Sequence, residues 1–437
     1  MGGLSGGEPR VLLGTTTIIM GVREASSASD SDSEDAGIAA VDDGNGHGEA
    51  VRLGVLVGDE LGIVKRFDVG DAVRGEFCAP EAARWGEPDR ESRIVSLACA
   101  ATPQFAAEGG EEYLVARAGG ELQVLDVSSG RFRTAARIDG KALVGARYIP
   151  IGEDARGGDV RTLACASDGS LHIFAAEAGG DGAANEGGAD ADAGDAEEGS
   201  LAFRAVSTIA ARGPAETFSV SACGTSVALG GRENNVEVWR LETQSREYSA
   251  KSPKPNALGI WDKPWISALC HVDAAQPHVL LAGTAGHALR LYDLRARRRP
   301  QFESHFGDTF RVTCLEPEAD GVGGAVWCAN GGGQLAIFDL RQRQTMDTVR
   351  AATGAIKGLA RVPPALSPSV AHGRPALLAV GLDRFLRVVD CRTRKQRCAF
   401  FLKQFTQAVA VLPSAAEVSP ADDAAQSEGQ AKRQRTN

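Results

Sequence analysis

Three stretches of the second half of the chain, VLLAGTAGHALRLYDL from Val279, AVWCANGGGQLAIFDL from Ala325 and ALLAVGLDRFLRVVDC from Ala376, read as one unit written three times. Each has an apolar strand, a few small or turn-forming residues, and a second apolar strand that ends on Asp. Gly331-Gly332-Gly333 and Leu382-Asp383 are the residues a tight hairpin turn uses, because glycine and Asp tolerate left-handed backbone. The same unit recurs in weaker form earlier in the chain. It appears as VRLGVLVGDELGIVKRFDV from Val51, YLVARAGGELQVLDV from Tyr113, TLACASDGSLHIFAA from Thr162 and SVALGGRENNVEVWRL from Ser226. Seven hairpins in order at a long period are the mark of a repeat architecture.

The spacing identifies which one. Asp293 to Asp339 is 46 residues and Asp339 to Asp390 is 51, near the roughly 40–45 of a four-stranded propeller blade. Further short apolar stretches lie between the hairpins, IVSLACA from Ile94, WISALCHV from Trp265, VTCLEP from Val312 and IKGLARV from Ile356. These are expected to be the inner strands. A four-stranded sheet cannot bury both faces alone, so the blades must stack and the ring must close. The expectation is an all-β, seven-bladed β-propeller of the WD-repeat kind. Two strands in CAFFLKQFTQAVAVL, Cys398 to Leu412, are expected to complete a blade shared with the first hairpin, with VLLGTTTIIMGV from Val11 as a competitor for that place. The WD signature itself is nearly erased. The one literal Trp-Asp, Trp261-Asp262, falls in a Pro-rich connection, and Gly286-His287 lies inside a hairpin turn.

Charge is distributed unevenly over the 437 residues. Residues 24–49 and 177–199 carry eight acidic residues each and no basic ones, so against a net charge of -10 the remainder is mildly basic at +6. Both stretches are rich in Gly, Ala, Ser and Asp and are expected to be disordered. The domain plan is therefore an acidic segment 1–50 with one possible strand at 11–19, a propeller over 51–413 with a disordered acidic insertion at 177–200, and a disordered tail over 414–437. No apolar run is long enough to cross a bilayer as a helix, and the Gly-rich start lacks the form of a secretory signal. Nine scattered cysteines without a C-x-x-C pair suit reduced, mostly buried thiols.

The second half resembles the NSA-type nucleolar WD-repeat factors of large ribosomal subunit assembly. GGRENNVEVWRLE from Gly230 is similar to that family's Gly-Gly-Lys-Glu-Asn hairpin and the strand after it. AKSPKPNALGIWDKPWISA from Ala250 is similar to its Ala-Lys-Asn connection leading to Trp, and GLDRFLRVVD from Gly381 to its last hairpin. The chain departs from the pattern in Arg232 for Lys, in the longer Lys-Ser-Pro-Lys-Pro-Asn connection and in the acidic insertions. The resemblance implies a nuclear, nucleolar scaffold that binds large-subunit preribosomal particles through pre-rRNA and ribosome assembly proteins. It also implies release by a AAA-family ATPase. Family-motif contacts would fall on Arg232, Glu233, Asn234, Lys254, Asn256, Trp265, Asp383 and Arg384.

The residues alone also point to RNA. RARRRP from Arg295, RQRQ from Arg341 and RTRKQR from Arg392 follow three successive hairpins. Read as joints between an outer strand and the next blade, they would share one face. An RNA-binding rim would then comprise Arg295, Arg297, Arg298, Arg299, Arg341, Arg343, Arg392, Arg394, Lys395 and Arg397, with Arg240, Arg246, Lys251 and Lys254 added from the preceding joint. Guanidinium groups suit this role because their planar fork donates two parallel bonds to a phosphate. The bland alternative is a set of solvated loops. Trp261 and Trp265 either stack on a partner or pack beneath their own loop, and Trp239 and Trp327 are expected in the core. SDSDSED from Ser29 offers phosphorylation sites. Lys432, Arg433 and Arg435 read either as a nuclear import patch or as a solvated terminus.

No phosphate loop, nucleophile elbow or zinc-protease motif is present. The expectation is a non-enzyme without cofactor or metal, monomeric within a larger assembly and not bound to membranes. The competing reading is a generic WD-repeat adaptor, such as a ubiquitin-ligase substrate receptor or a chromatin peptide reader.

Overall fold

The computed structural model describes residues 53–71, 77–78, 81–99, 112–150, 160–177, 202–211, 213–253, 259, 263–273, 275–318, 324–362 and 375–412. They form strands only, arranged as seven antiparallel sheets. The first sheet runs β29 (Thr406–Val411), β1 (Leu53–Asp59), β2 (Val64–Asp71), then β3 (Phe77–Cys78) and β4 (Glu81–Trp85), both pairing with β2. The second contains β5 (Ile94–Cys99), β6 (Glu112–Arg117), β7 (Glu121–Asp126) and β8 (Arg131–Arg137). The third contains β9 (Leu143–Pro150), β10 (Val160–Ala166), β11 (Ser170–Glu177) and β12 (Ala202–Ala210). In the fourth are β13 (Thr217–Val220), β14 (Ser226–Gly231), β15 (Asn234–Arg240) and β16 (Ser245–Ser249), and in the fifth β17 (Ile266–Asp273), β18 (Gln276–Thr284), β19 (Ala288–Asp293) and β20 (Phe302–His305). The sixth has β21 (Val312–Pro317), β22 (Ala325–Asn330), β23 (Gln334–Asp339) and β24 (Gln344–Arg350). The seventh has β25 (Ile356–Val362), β26 (Ala376–Gly381), β27 (Phe385–Asp390) and β28 (Lys395–Phe401).

The innermost strands touch in cyclic order β29, β5, β9, β13, β17, β21, β25 and back to β29, which closes a seven-bladed propeller. Each interface between blades carries its own apolar cluster. Strand β26 shows why its sequence is apolar without alternation: Ala376, Leu378 and Val380 pack toward blade 1, while Leu377 and Ala379 pack toward blade 6. Successive side chains point to opposite faces, and here both faces are core. Glycine near the end of a second strand lets the next blade approach. A Cβ on Gly230 or Gly283 would come within 2.6 or 2.4 Å of Ile266 or Val312.

The hairpins quoted above are the second and third strands of each blade, with one inner strand before and one outer strand after. IVSLACA, WISALCHV, VTCLEP and IKGLARV supply the innermost strands β5, β17, β21 and β25, as expected. The C-terminal stretch departs from expectation. It gives one strand, β29, to the shared blade, whereas β28 is the outer strand of blade 7. The segment from Val11, the acidic stretches and the tail lie outside the described residues. Among the described residues no disulfide joins two cysteines, and burial pushes the Cys165 and Cys391 thiols up to about 12.

Because strands in a meander alternate direction, connections alternate between two faces. Turns from first to second and from third to fourth strand lie on one face, here called lower. Turns from second to third strand, and the joints between blades, lie on the upper face.

Candidate functional site

Four of the third strands end in an aspartate that organises the lower turn that follows. Asp126 Oδ1 accepts from Ser128 N at 2.9 Å, Asp293 from Arg295 N at 3.0 Å, Asp339 from Arg341 N at 2.7 Å and Asp390 from Arg392 N at 2.9 Å. This is the purpose of the Asp that closes most repeats: its carboxylate satisfies backbone donors that the turn leaves unpaired. At Asp390, burial opposes ionisation, yet the N–H groups of Thr393 and Arg392 and the Arg397 guanidinium outweigh it and hold the carboxyl below its ordinary range.

The arginine clusters sit in these turns. They connect third to fourth strands within blades 5, 6 and 7, and are not joints between blades. The sequence reading took the third strand for the outermost one. Turns after third strands all start from the lower ends of those strands, and the blade 5 turn runs from there to the joint after β16. Arg295, Arg297, Arg298, Arg299, Arg341, Arg343, Arg392 and Lys395 are exposed. The blade 5 turn is long and leans against blade 4: Tyr248 Oη donates to Arg297 O at 3.0 Å, Lys251 N to Arg298 O at 2.7 Å, and Arg299 Nε to Ser252 O at 3.2 Å. The Arg343 guanidinium lies 5.9 Å from the centre of the Phe302 ring on the neighbouring blade. Lys395 and Arg397 belong to β28 itself. Arg394 is half-buried, and Arg397 is committed to Asp390 at 3.2 Å. Arg240 and Arg246 lie on β15 and β16 and are neutralised by Glu247 and Glu237. Arg295 also pairs with Asp293 at 3.5 Å, and the exposed arginines of the blade 5 to 7 turns outnumber the aspartates there.

The family-motif residues lie on the upper face, opposite the arginine arc. Arg232 and Glu233 form the turn between β14 and β15, and Asn234 opens β15. Arg232 bridges to Trp265 through the backbone and places its guanidinium 5.1 Å from the indole centre. Trp265 Nε1 donates to Glu216 Oε2 at 2.9 Å, Lys263 pairs with Glu233 at 3.3 Å, and Asn234 Nδ2 donates to Pro214 O at 3.3 Å. Trp265 therefore packs against its own surroundings. Asp383 pairs with Arg387 in a buried contact, and Arg384 lies over two phenylalanine rings. Trp327 is core, with 1% exposure, and Trp239 is half-buried. Lys254, Asn256, Trp261, Lys432, Arg433 and Arg435 fall outside the described residues.

Sequence reasoning missed the charges inside the channel. Arg147 on β9 and Glu316 on β21 line a cavity of about 470 Å³ together with His271 on β17. Burial raises the Glu316 carboxyl to about 7 against the opposing pull of Arg147 and Arg361, and burial lowers His271 to about 4. The available signal was a lone charge inside an apolar inner strand, as in LVGARYIP and VTCLEP. Among the described residues no group of His, Cys, Asp and Glu is placed to hold a metal ion.

No family model matches the chain. It is 27% identical over 341 residues to bovine WD repeat-containing protein 74, which covers 76% of this chain and 74% of that protein. The human WD repeat-containing protein 74 is 29% identical over 164 residues, 37% of this chain and 39% of that protein. A WD repeat-containing protein of Dictyostelium discoideum is 26% identical over 193 residues, 43% and 34% of the two chains. A closed ring of seven antiparallel blades, with likeness over three quarters of its length to a WD-repeat protein, makes this chain a seven-bladed β-propeller similar to WD-repeat proteins.

Proposed function

We propose that this propeller is a non-catalytic scaffold of ribosome assembly that binds early large-subunit precursors in the nucleolus. Its lower face would contact precursor rRNA, assembly proteins would hold other surfaces, and a AAA-family ATPase would release it. The observation that carries this reading is the run of exposed arginines in the turns after the third strands of three consecutive blades, where the arginines outnumber the aspartate that closes each strand. Such an arc neutralises phosphates and releases their counterions, a sequence-independent form of affinity suited to a structured RNA. The second support is the resemblance of the Arg232-Glu233-Asn234 hairpin and the last hairpin to nucleolar assembly factors. WD-repeat propellers of this kind typically serve as scaffolds, because rigid rings present several faces at once.

The test is affinity purification of the tagged full chain with sequencing of the RNA that accompanies it. Enrichment of large-subunit precursor RNA, lost when Arg295, Arg341 and Arg392 are changed together to Glu, is the expected result. Recovery of cullin adaptors or histones in place of that RNA would favour a general WD-repeat adaptor.

A further inference from the structure

We propose that the upper face over blades 6 and 7 is a docking site for a protein segment that carries apolar side chains next to carboxylates. This goes beyond the RNA-facing reading of the lower face and does not depend on it. Phe310, Leu382, Phe401 and Phe405 are among the most exposed large apolar side chains of the described residues, at 54, 38, 53 and 38%. All four lie on this side of the ring. Phe310, on the joint after β20, covers the backbone of Gly332, where a Cβ would come within 2.5 Å of the ring. Gly354, on the next joint, packs against Leu382. Arg384 then places its guanidinium 5.4 Å from the Phe401 ring centre and 5.8 Å from that of Phe405. The carbonyl of Phe405 accepts from Glu60 N at 3.2 Å, which carries the strip to the edge of blade 1. Exposed apolar side chains gathered on one side of two neighbouring blades in this way mark an interaction surface.

Backbone conformation supplies a second argument. One residue of the upper turn, the last in every blade but the first, has positive φ. It is Gly62, Gly120, Gly169 and Gly333 in four of them, but Glu233, His287 and Arg384 in blades 4, 5 and 7. At φ 67° Arg384 carries a strain that glycine would avoid. Its side chain is retained at that cost, stacked on two exposed rings.

Charge identifies the occupant. On the turns and joints of this sector the exposed ionic groups among the described residues are Arg311, Arg384 and Lys403, opposed by Asp308. Asp383 is consumed by Arg387, and Glu216 receives both Trp265 and Arg311. Apolar side chains of a partner would cover the phenylalanines, and its carboxylates would meet the surrounding cations. The strand ends that lead to the acidic segments and the tail, Leu53, Glu177 and Leu412, all lie on the lower face, which favours a separate partner.

A displayed random-peptide library selected on the immobilised full chain tests this, with labelled winners measured by fluorescence anisotropy. Winners should combine Asp or Glu with Leu, Ile or Phe. Arg384→Gly should raise Tm by relieving strain yet weaken those peptides by about ten-fold, as should Phe405→Ser. Reversal of the lower-face arginines should leave their affinity unchanged, so failure of this site and failure of the RNA reading are separable. The proposal is overturned by an absence of enrichment, by winners that are basic or lack acidic residues, or by equal binding to the Arg384→Gly and Phe405→Ser variants. It is equally overturned if deletion of residues 1–50 or 413–437 tightens binding about ten-fold, which would make the chain's own segment the occupant.

Discussion

The two faces of the ring surround arginine with different neighbours. On the upper face Arg232 lies against Trp265, Arg384 against Phe401 and Phe405, and Arg387 against Asp383, so each cation has a fixed neighbour. On the lower face Arg295, Arg341 and Arg392 are exposed in turns whose backbone is already satisfied by Asp293, Asp339 and Asp390, and Arg295 also pairs with Asp293. Fixed cations with apolar neighbours discriminate by shape, whereas extended ones supply attraction that tolerates many phosphate positions. Under the two proposals above, one scaffold would hold two partners of different chemistry without competition between them.

The largest effect that tests this contrast is the Arg295→Glu, Arg341→Glu, Arg392→Glu variant. Its affinity for large-subunit precursor RNA should fall about 100-fold or more, and the slope of log K against log salt should become shallower by about 3. Filter binding across a salt series reads both quantities, and an unchanged slope would remove the lower face from RNA contact. Next in size is Asp390→Ala, which deletes the oxygen that accepts from two turn N–H groups and leaves Arg397 without its carboxylate. It should destabilise the propeller by about 2–3 kcal/mol in denaturant titration. Glu233→Gly works in the other direction. Its φ of 56° suits glycine, and the exposed pair with Lys263 contributes little, so stability should rise by about 0.5–1 kcal/mol.

The smallest effect belongs to the channel between the faces. Glu316 ionises at about 7 in the folded protein against 4.5 for the ordinary side chain, so folding retains a proton that the unfolded chain releases. That contribution is complete below about 4.5 and is lost as pH rises through 7. Thermal scans at acid and alkaline pH should show Glu316→Gln relieving the alkaline loss by roughly 1–2 °C, with no gain at acid pH.

What the sequence concealed follows from which strands are apolar. The second and third strands of each blade are buried on both faces and stand out as apolar hairpins. The outer strands β16, β20 and β24 read SREYS, FESH and QTMDTVR, which are polar and resemble loops. That is why the arginine turns were taken for joints between blades. The alternation of strand direction was still legible, since any turn after a third strand starts from the same side. The Phe310–Phe405 strip was not legible, because aromatic residues beside strands ordinarily read as core. Only the stacked geometry of Arg384, set by residues 17 and 21 positions downstream, separates them from it.

Pairing of β1 with β29 joins residues about 350 positions apart, and at a synthesis rate of about 5–20 residues per second the partner of β1 emerges roughly 20–70 s after it. Throughout that interval the inner edge of the first blade is a row of unsatisfied amides open to any passing strand. The newborn chain thus spends most of its synthesis as an open arc with a sticky end. Its yield in the cell should depend on what shields that end until the last strand arrives.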